Sequence, residues 1–134
     1  MSLWSKRFAG GPSAVRKARL AVREQLGETL SPERLDDVEL LISELATNSV
    51  RHGACDDRAD LEVETDVSER SVRLRLCDHG PGFEPGTPEP RPDGEGGYGL
   101  VLLETLSNRW GTARNGAFCV WFEVERQRDH SLVR

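Results

Sequence analysis

The sequence predicts an α+β sandwich in which one antiparallel sheet is covered by helices on a single face. Three observations point there. Two stretches near the start carry apolar residues at helical spacing. Two later pairs of short stretches alternate apolar with polar residues across tight turns. The helical and alternating stretches are partly segregated along the chain. A chain of 134 residues can build one core of this kind, so one domain over 1–134 is expected, with a polar tail from about 127.

The elements follow in order. In "SAVRKARLAVREQLG", Val15, Ala18, Val22 and Leu26 share a helical face, Ser13 stands where a cap would, and Gly27 stands where a helix stops. "SPERLDDVELLISELATNSVRHG" opens at Ser31-Pro32, stays in phase through Leu35, Val38, Ile42 and Leu45, and reaches a natural stop at Gly53. "LEVETDV" places Leu61, Val63, Thr65 and Val67 on one side, and "SVRLRLCD" does the same with Val72, Leu74 and Leu76. The short joint Ser68 to Arg70 makes them an antiparallel hairpin with one buried face. Residues 79–97, rich in glycine and proline, read as a long loop, and "GLVLLETLSNRWG" reads as a third helix. "WGTARNGAFCVWFEVE" is a second hairpin around Asn115-Gly116, a type I′ turn signal, with Phe118, Val120, Phe122 and Val124 facing inward. The opening "MSLWSKRFAGG" is assigned no element, and Trp4, Trp110 and Trp121 are read as core or interface residues.

Composition removes several function classes. A net charge of −5 argues against a protein that binds nucleic acid by neutralising phosphates. No apolar run approaches the ~20 residues of a membrane helix, and the N-terminus lacks the apolar stretch of a signal peptide. Cys55, Cys77 and Cys119 are odd in number, far apart and without C-x-x-C spacing. They read as reduced thiols of a cytoplasmic protein, not as a disulfide frame or zinc site. Neither Lys6 nor Lys17 follows a glycine, so the G-x-x-x-x-G-K-[ST] phosphate loop is absent, as is the eukaryotic-type kinase motif set.

Three stretches carry chemistry. In "ELATN", Glu44 and Asn48 are four apart on one helical face. An amide oxygen can ligate Mg²⁺ and a carboxylate can take a proton from an attacking hydroxyl, although a solvated polar edge would look the same. In "DHGPG", Asp78 ends a strand as a hydrogen-bond acceptor, with Gly80 and Gly82 leaving room for a flat ring; a strand-to-turn exit is the plainer reading. In "GGYGL", Gly97 and Gly99 precede a helix whose positive end favours phosphate oxygens, or else merely mark a helix entry.

In this order, the three stretches resemble the N box and two G boxes of the Bergerat-fold ATP-binding domains shared by histidine kinases, type II topoisomerases and large heat-shock chaperones. More narrowly, "FAGGPSAVRKARLAV", "LLISELATNSVRHG", "GGYGLVLLETLSNRWG" and "VWFEVE" resemble the anti-sigma-factor serine kinases and their actinobacterial relatives, from about Phe8 to Glu125. The resemblance implies a Bergerat-type two-layer sandwich that binds ATP and Mg²⁺. It implies Glu44 as general base, Asn48 as the Mg²⁺ ligand beside the triphosphate, and Asp78 as reader of the adenine amino group beside Gly80 and Gly82. Gly97, Gly99 and the amide of Leu100 would line the phosphates. Arg51, His52, Gly53, Phe83 and Tyr98 would complete the pocket. Cys119 stands where many relatives carry a threonine that supports the aspartate–adenine contact, and is a poorer hydrogen-bonding group. His52 and His79 flank the site as structural or solvated groups. Residues 83–96 correspond to a lid holding Pro85, Pro88, Pro90 and Pro92, with Arg91 its only basic residue.

The implied activity is that of a serine/threonine protein kinase doubling as an anti-sigma factor. It phosphorylates a small antagonist protein and, once released from it, sequesters a sigma factor. A homodimer is expected, with the aromatic and basic residues of Leu3–Arg19 suited to an interface, and with no direct contact to nucleic acid or membrane. Two other functions compete: a non-catalytic, ATP-switched binding module, and the catalytic fragment of a histidine kinase. The last is disfavoured because the sequence has no upstream helical hairpin carrying a phosphoacceptor histidine.

Overall fold

The computed structural model describes residues 2–51, 60–79 and 99–127. The chain runs β1 (Ser2–Phe8), α1 (Ser13–Leu26), α2 (Pro32–Arg51), β2 (Leu61–Val67), β3 (Ser71–Asp78), α3 (Gly99–Leu106), β4 (Arg109–Asn115) and β5 (Ala117–Glu125). The five strands form one sheet in the order β1-β2-β3-β5-β4, antiparallel at every step. This is the expected two-layer sandwich.

Period-two alternation decides which face each side chain occupies. Trp4, Thr65, Leu74, Phe122 and Trp110 line up across all five strands as one row. That face is covered by helices: Ala14, Ala18, Val22 and Leu26 of α1, Leu35, Val38, Leu41, Ile42 and Leu45 of α2, and Leu103 of α3 join Val63, Val72, Leu74, Val120, Phe122 and Val124 in a single buried cluster. The next row, Leu3, Asp66, Arg73, Glu123 and Arg109, lies on the opposite, uncovered face.

Local signals explain most of the element ends. Ser31 caps α2, its Oγ accepting from the Arg34 amide at 3.2 Å, and Pro32 fills the first helical position. The β2–β3 joint closes through the Ser68 amide and hydroxyl, both donating to the Ser71 carbonyl, at 2.9 and 3.0 Å.

Four expectations are corrected. The opening residues form the edge strand β1, paired with β2 from Ser2↔Val67 to Phe8↔Leu61. Its inward side is Trp4, Lys6 and Phe8. The lysine breaks the apolar alternation and lies over the Phe8 ring, 5.6 Å from its centroid, which hides the strand from a hydropathy reading. Ser13 makes no capping bond, because α1 is entered through Pro12. Gly27 is the C-cap of α1, where the helix was expected to stop, and it keeps a right-handed φ of −59°. The third helix stops at Leu106. The Asn108 amide already donates to the Glu123 carbonyl at 2.8 Å, so the sheet captures the chain. The last hairpin is tighter than type I′. Asn115 pairs with Ala117, and only Gly116 takes a positive φ, of 83°, where type I′ needs two such residues.

The cysteine reading is also overturned. Cys77 and Cys119 form a disulfide, with Cα atoms 4.1 Å apart. Their separation of 42 in sequence conceals the pairing, whereas the β3–β5 register sets them directly opposite. Cys55 lies outside the described residues.

Candidate functional site

The site grows from the end of α2. Along that helix Val38, Ile42, Leu45 and Ser49 are buried against the sheet side, while Glu44 and Asn48 on the flank are half-buried. Two neighbouring residues of α2 thus face different elements. Ser49 points at β3 and donates its hydroxyl proton to Asp78 Oδ2 over 2.5 Å. Asn48 lies against the start of α3.

Asp78 is the last residue of β3. The alternation that turns Val72, Leu74 and Leu76 inward turns Asp78 inward as well, leaving it 7% exposed. A carboxylate so buried needs hydrogen-bond donors, and Ser49 supplies one. Gly99 opens α3 at close range to α2. A Cβ there would sit 3.2 Å from Asn48 Nδ2 and 3.7 Å from Leu45 Cδ2, so any larger residue would push into Asn48. The first amides of a helix have no internal partners, and the helix dipole adds partial positive charge. The three elements therefore bring together a buried acceptor, an amide side chain and an anion-favouring helix start.

Those residues fit a magnesium nucleotide. Asp78 suits an amino group, Asn48 offers a hard oxygen, and the start of α3 at Gly99 carries the partial positive charge that favours phosphate. Glu44 sits one turn before Asn48 on α2, and Leu100 is half-buried against the core. Arg51 closes α2. His79 follows β3 and is exposed. His52, Gly53, Gly80, Gly82, Phe83, Gly97, Tyr98 and the lid 83–96 lie outside the described residues.

Cys119 is not brought to this site. It shares its face with Cys77, on the side of the sheet away from Asp78, and its sulfur is bonded there. Two contributors went unread in the sequence. One is Ser49, whose signal was a hydroxyl placed in line with Val38, Ile42 and Leu45. The other is Arg34, buried, with its guanidinium donating to Asp37, to the Leu106 carbonyl at 2.8 Å and to Asn108 Oδ1 at 3.0 Å. Arg34 pins the start of α2 to the end of α3, and so sets the spacing of the two helices that flank the site.

The fold is that of the ATPase domains found in histidine kinases. Residues 8–123 match the histidine kinase-like ATPase domain, and the chain belongs to that family. Within it, the chain is homologous to the anti-sigma-factor kinases. It is 35% identical over 88 residues to the serine-protein kinase RsbW of Listeria monocytogenes, covering 57% of this chain and 56% of that one. It is 34% identical over 101 residues to the anti-sigma F factor of Clostridium botulinum, covering 66% and 68%. The match thus spans little more than half the length of the Listeria relative. Among solved structures, the catalytic domain of the histidine kinase ThkA superposes with a TM-score of 0.58 at 12% identity, over 92% of this chain and 97% of that one. The histidine kinase AdeS of Acinetobacter baumannii gives 0.53 at 16%, over 94% and 69%. At such identities these two show the fold alone.

Proposed function

We propose that the protein is an ATP-dependent serine/threonine protein kinase that also acts as an anti-sigma factor. It transfers the γ-phosphoryl group of ATP to a hydroxyl of a small antagonist protein and, when free of that partner, sequesters a sigma factor. The observation that carries this reading is the packing of Asn48 against Gly99 next to the buried Asp78, in a chain homologous to proteins named as serine-protein kinase and anti-sigma F factor. Asp78 reads the adenine amino group. Gly99 and Leu100 hold phosphate oxygens by their amides, and Asn48 holds Mg²⁺, which supplies charge neutralisation at the phosphates. Glu44 accepts the proton of the incoming hydroxyl. Positioning and charge stabilisation do the rest, as is usual for phosphoryl transfer. The working form is a homodimer in the cytoplasm, acting on proteins and not on nucleic acid or membrane. No helix among the described residues is long and apolar enough to cross a membrane.

The test is labelled ATP with the cognate antagonist and two variants beside wild type. Glu44→Ala is expected to lose phosphotransfer by about 10²–10⁴-fold while keeping most ATP affinity. Asn48→Ala is expected to damage both, because it removes the metal's protein ligand. Transfer at the wild-type rate by Glu44→Ala removes Glu44 as the base. A second reading, an ATP-switched module without phosphotransfer, is favoured by Cys119, whose sulfur is tied to Cys77 instead of supporting Asp78. ATP binding by the wild type without transfer to any antagonist selects it.

A further inference from the structure

We infer that Ser49 is a positioning residue of the nucleotide site: by holding Oδ2 of Asp78, it fixes the carboxylate that selects a 6-aminopurine. The inference rests on the ATP-binding reading above.

The geometry carries it. Ser49 is 6% exposed and Asp78 7%, so their bond is closed to water and strong for its kind. A serine inside a helix has a nearer acceptor, the carbonyl four residues back. Thr47 uses that option, donating to the Ser43 carbonyl at 2.6 Å. Ser49 instead sends its single proton across to β3. The hydroxyl bond takes one lone-pair site on Oδ2, and a carboxylate offers roughly four such sites on its two oxygens. The bond limits rotation of the carboxylate plane, and thus where its remaining lone pairs point.

The second consequence is relative placement. Ser49 follows Asn48 directly in α2, so one turn of helix is bonded to the end of β3 and packed against the start of α3. A shift of Asp78 relative to the residues facing Gly99 would have to break the Ser49 bond. Ser49 acts through Asp78, as a positioning residue.

The experiment compares two nucleotides, ATP and purine riboside 5′-triphosphate, which lacks the 6-amino group. Each is titrated with Mg²⁺ into the full chain as wild type, Ser49→Ala, Ser49→Thr and Asp78→Asn, with melting curves to establish folding. Wild type is expected to prefer ATP by on the order of tenfold. Ser49→Ala is expected to lose most of that preference while its affinity for the amino-less analogue stays within about twofold. Ser49→Thr, which keeps the hydroxyl, is expected to retain the preference. A folded Ser49→Ala that keeps the wild-type ratio overturns the inference and leaves the ATP reading standing. So does an equal loss for both nucleotides, since that is the mark of a merely structural residue. Wild type that binds both without preference overturns the inference through Asp78, with nucleotide binding intact. Wild type that binds neither overturns the underlying reading. Should Ser49→Ala not fold, Ser49→Cys, of similar shape with a weak donor, is judged by the same ratio.

Discussion

Cys77 and Asp78 are adjacent in the chain and opposite in environment. Asp78 faces the helices and takes a hydrogen bond from Ser49, while Cys77 faces the other way and is bonded to Cys119. The whole sheet divides in the same manner. Its inner face is a continuous apolar core that ends at the candidate site. Its outer face is a set of directly opposed charges: Arg7 with Glu62 at 3.0 Å, Arg75 with Glu64 at 3.3 Å, and Glu123 with both Arg73 at 3.7 Å and Arg109 at 2.6 Å. Trp121 lies flat among them, its ring over Gly111 and the Arg73 guanidinium 4.2 Å from its centroid. The difference teaches that one strand can serve two purposes because alternation separates them. Burial and the nucleotide site share one side, and pairwise complementarity with a covalent staple occupies the other.

The sharpest way to break the comparison is to cut the same strand on each face. Phe122 is fully buried and Trp121, its neighbour, is half-buried on the outer side. Phe122→Ala is expected to cost about 3–5 kcal/mol in denaturant unfolding, a large share of the ~5–15 kcal/mol that stabilises a domain. Trp121→Ala is expected to cost clearly less. Equal losses would mean that the outer face is packed as a second core.

Next in size is the staple. Replacing both Cys77 and Cys119 with serine is expected to lower stability by about 2–4 kcal/mol, since the bond closes a long loop in the unfolded chain. ATP affinity is expected to stay unchanged, because both sulfurs lie on the face away from Asp78. Thermal melting and calorimetry read the two quantities separately, and a parallel fall in affinity would show that the faces are coupled through β3. On the inner side the expected pattern reverses. Asp78→Asn is expected to weaken ATP binding by about 1–3 kcal/mol with little change in melting, because the amide presents a donor where an acceptor is needed. Unchanged binding would remove Asp78 as the adenine reader.

How much of this was legible in the sequence depended on whether the signal was local. The two hairpins, the buried stripe of α2 and the Ser31-Pro32 start are written in spacing and capping chemistry, and all appear, with only the turn at Gly116 differing from the type I′ expected. β1 was missed because Lys6 interrupts its inward side and because its partner, β2, is distant in the chain. The disulfide was missed for a related reason, since only the β3–β5 register reveals that Cys77 and Cys119 face each other. At the site, the order of the three boxes pointed to α2, Asp78 and Gly99, but not to the hydroxyl that connects the first two. A serine next to Asn48 is unremarkable until the strand end opposite it is known to be a buried carboxylate.

The smallest expected effect tests the outer face by itself. Glu123 is its most connected member, facing Arg73 and Arg109 across β3 and β4, with 19% of its side chain exposed against 49% and 68% for the two arginines. Exposed pairs of this kind are worth about 0–1 kcal/mol, because water screens them and two long side chains must be held in place. Glu123→Gln is therefore expected to lower stability by less than about 1 kcal/mol in dilute buffer. The gap between mutant and wild type is expected to close as salt is raised toward about 1 M, where the screening length falls to roughly 3 Å. Arg73 keeps its stacking on Trp121 in the mutant, which limits the loss further. Urea unfolding of both proteins at low and high salt measures this directly. A loss rivalling that of the disulfide, or one that persists at high salt, would mean that the outer face contributes through buried charge. The division of labour between the two faces would then have to be withdrawn.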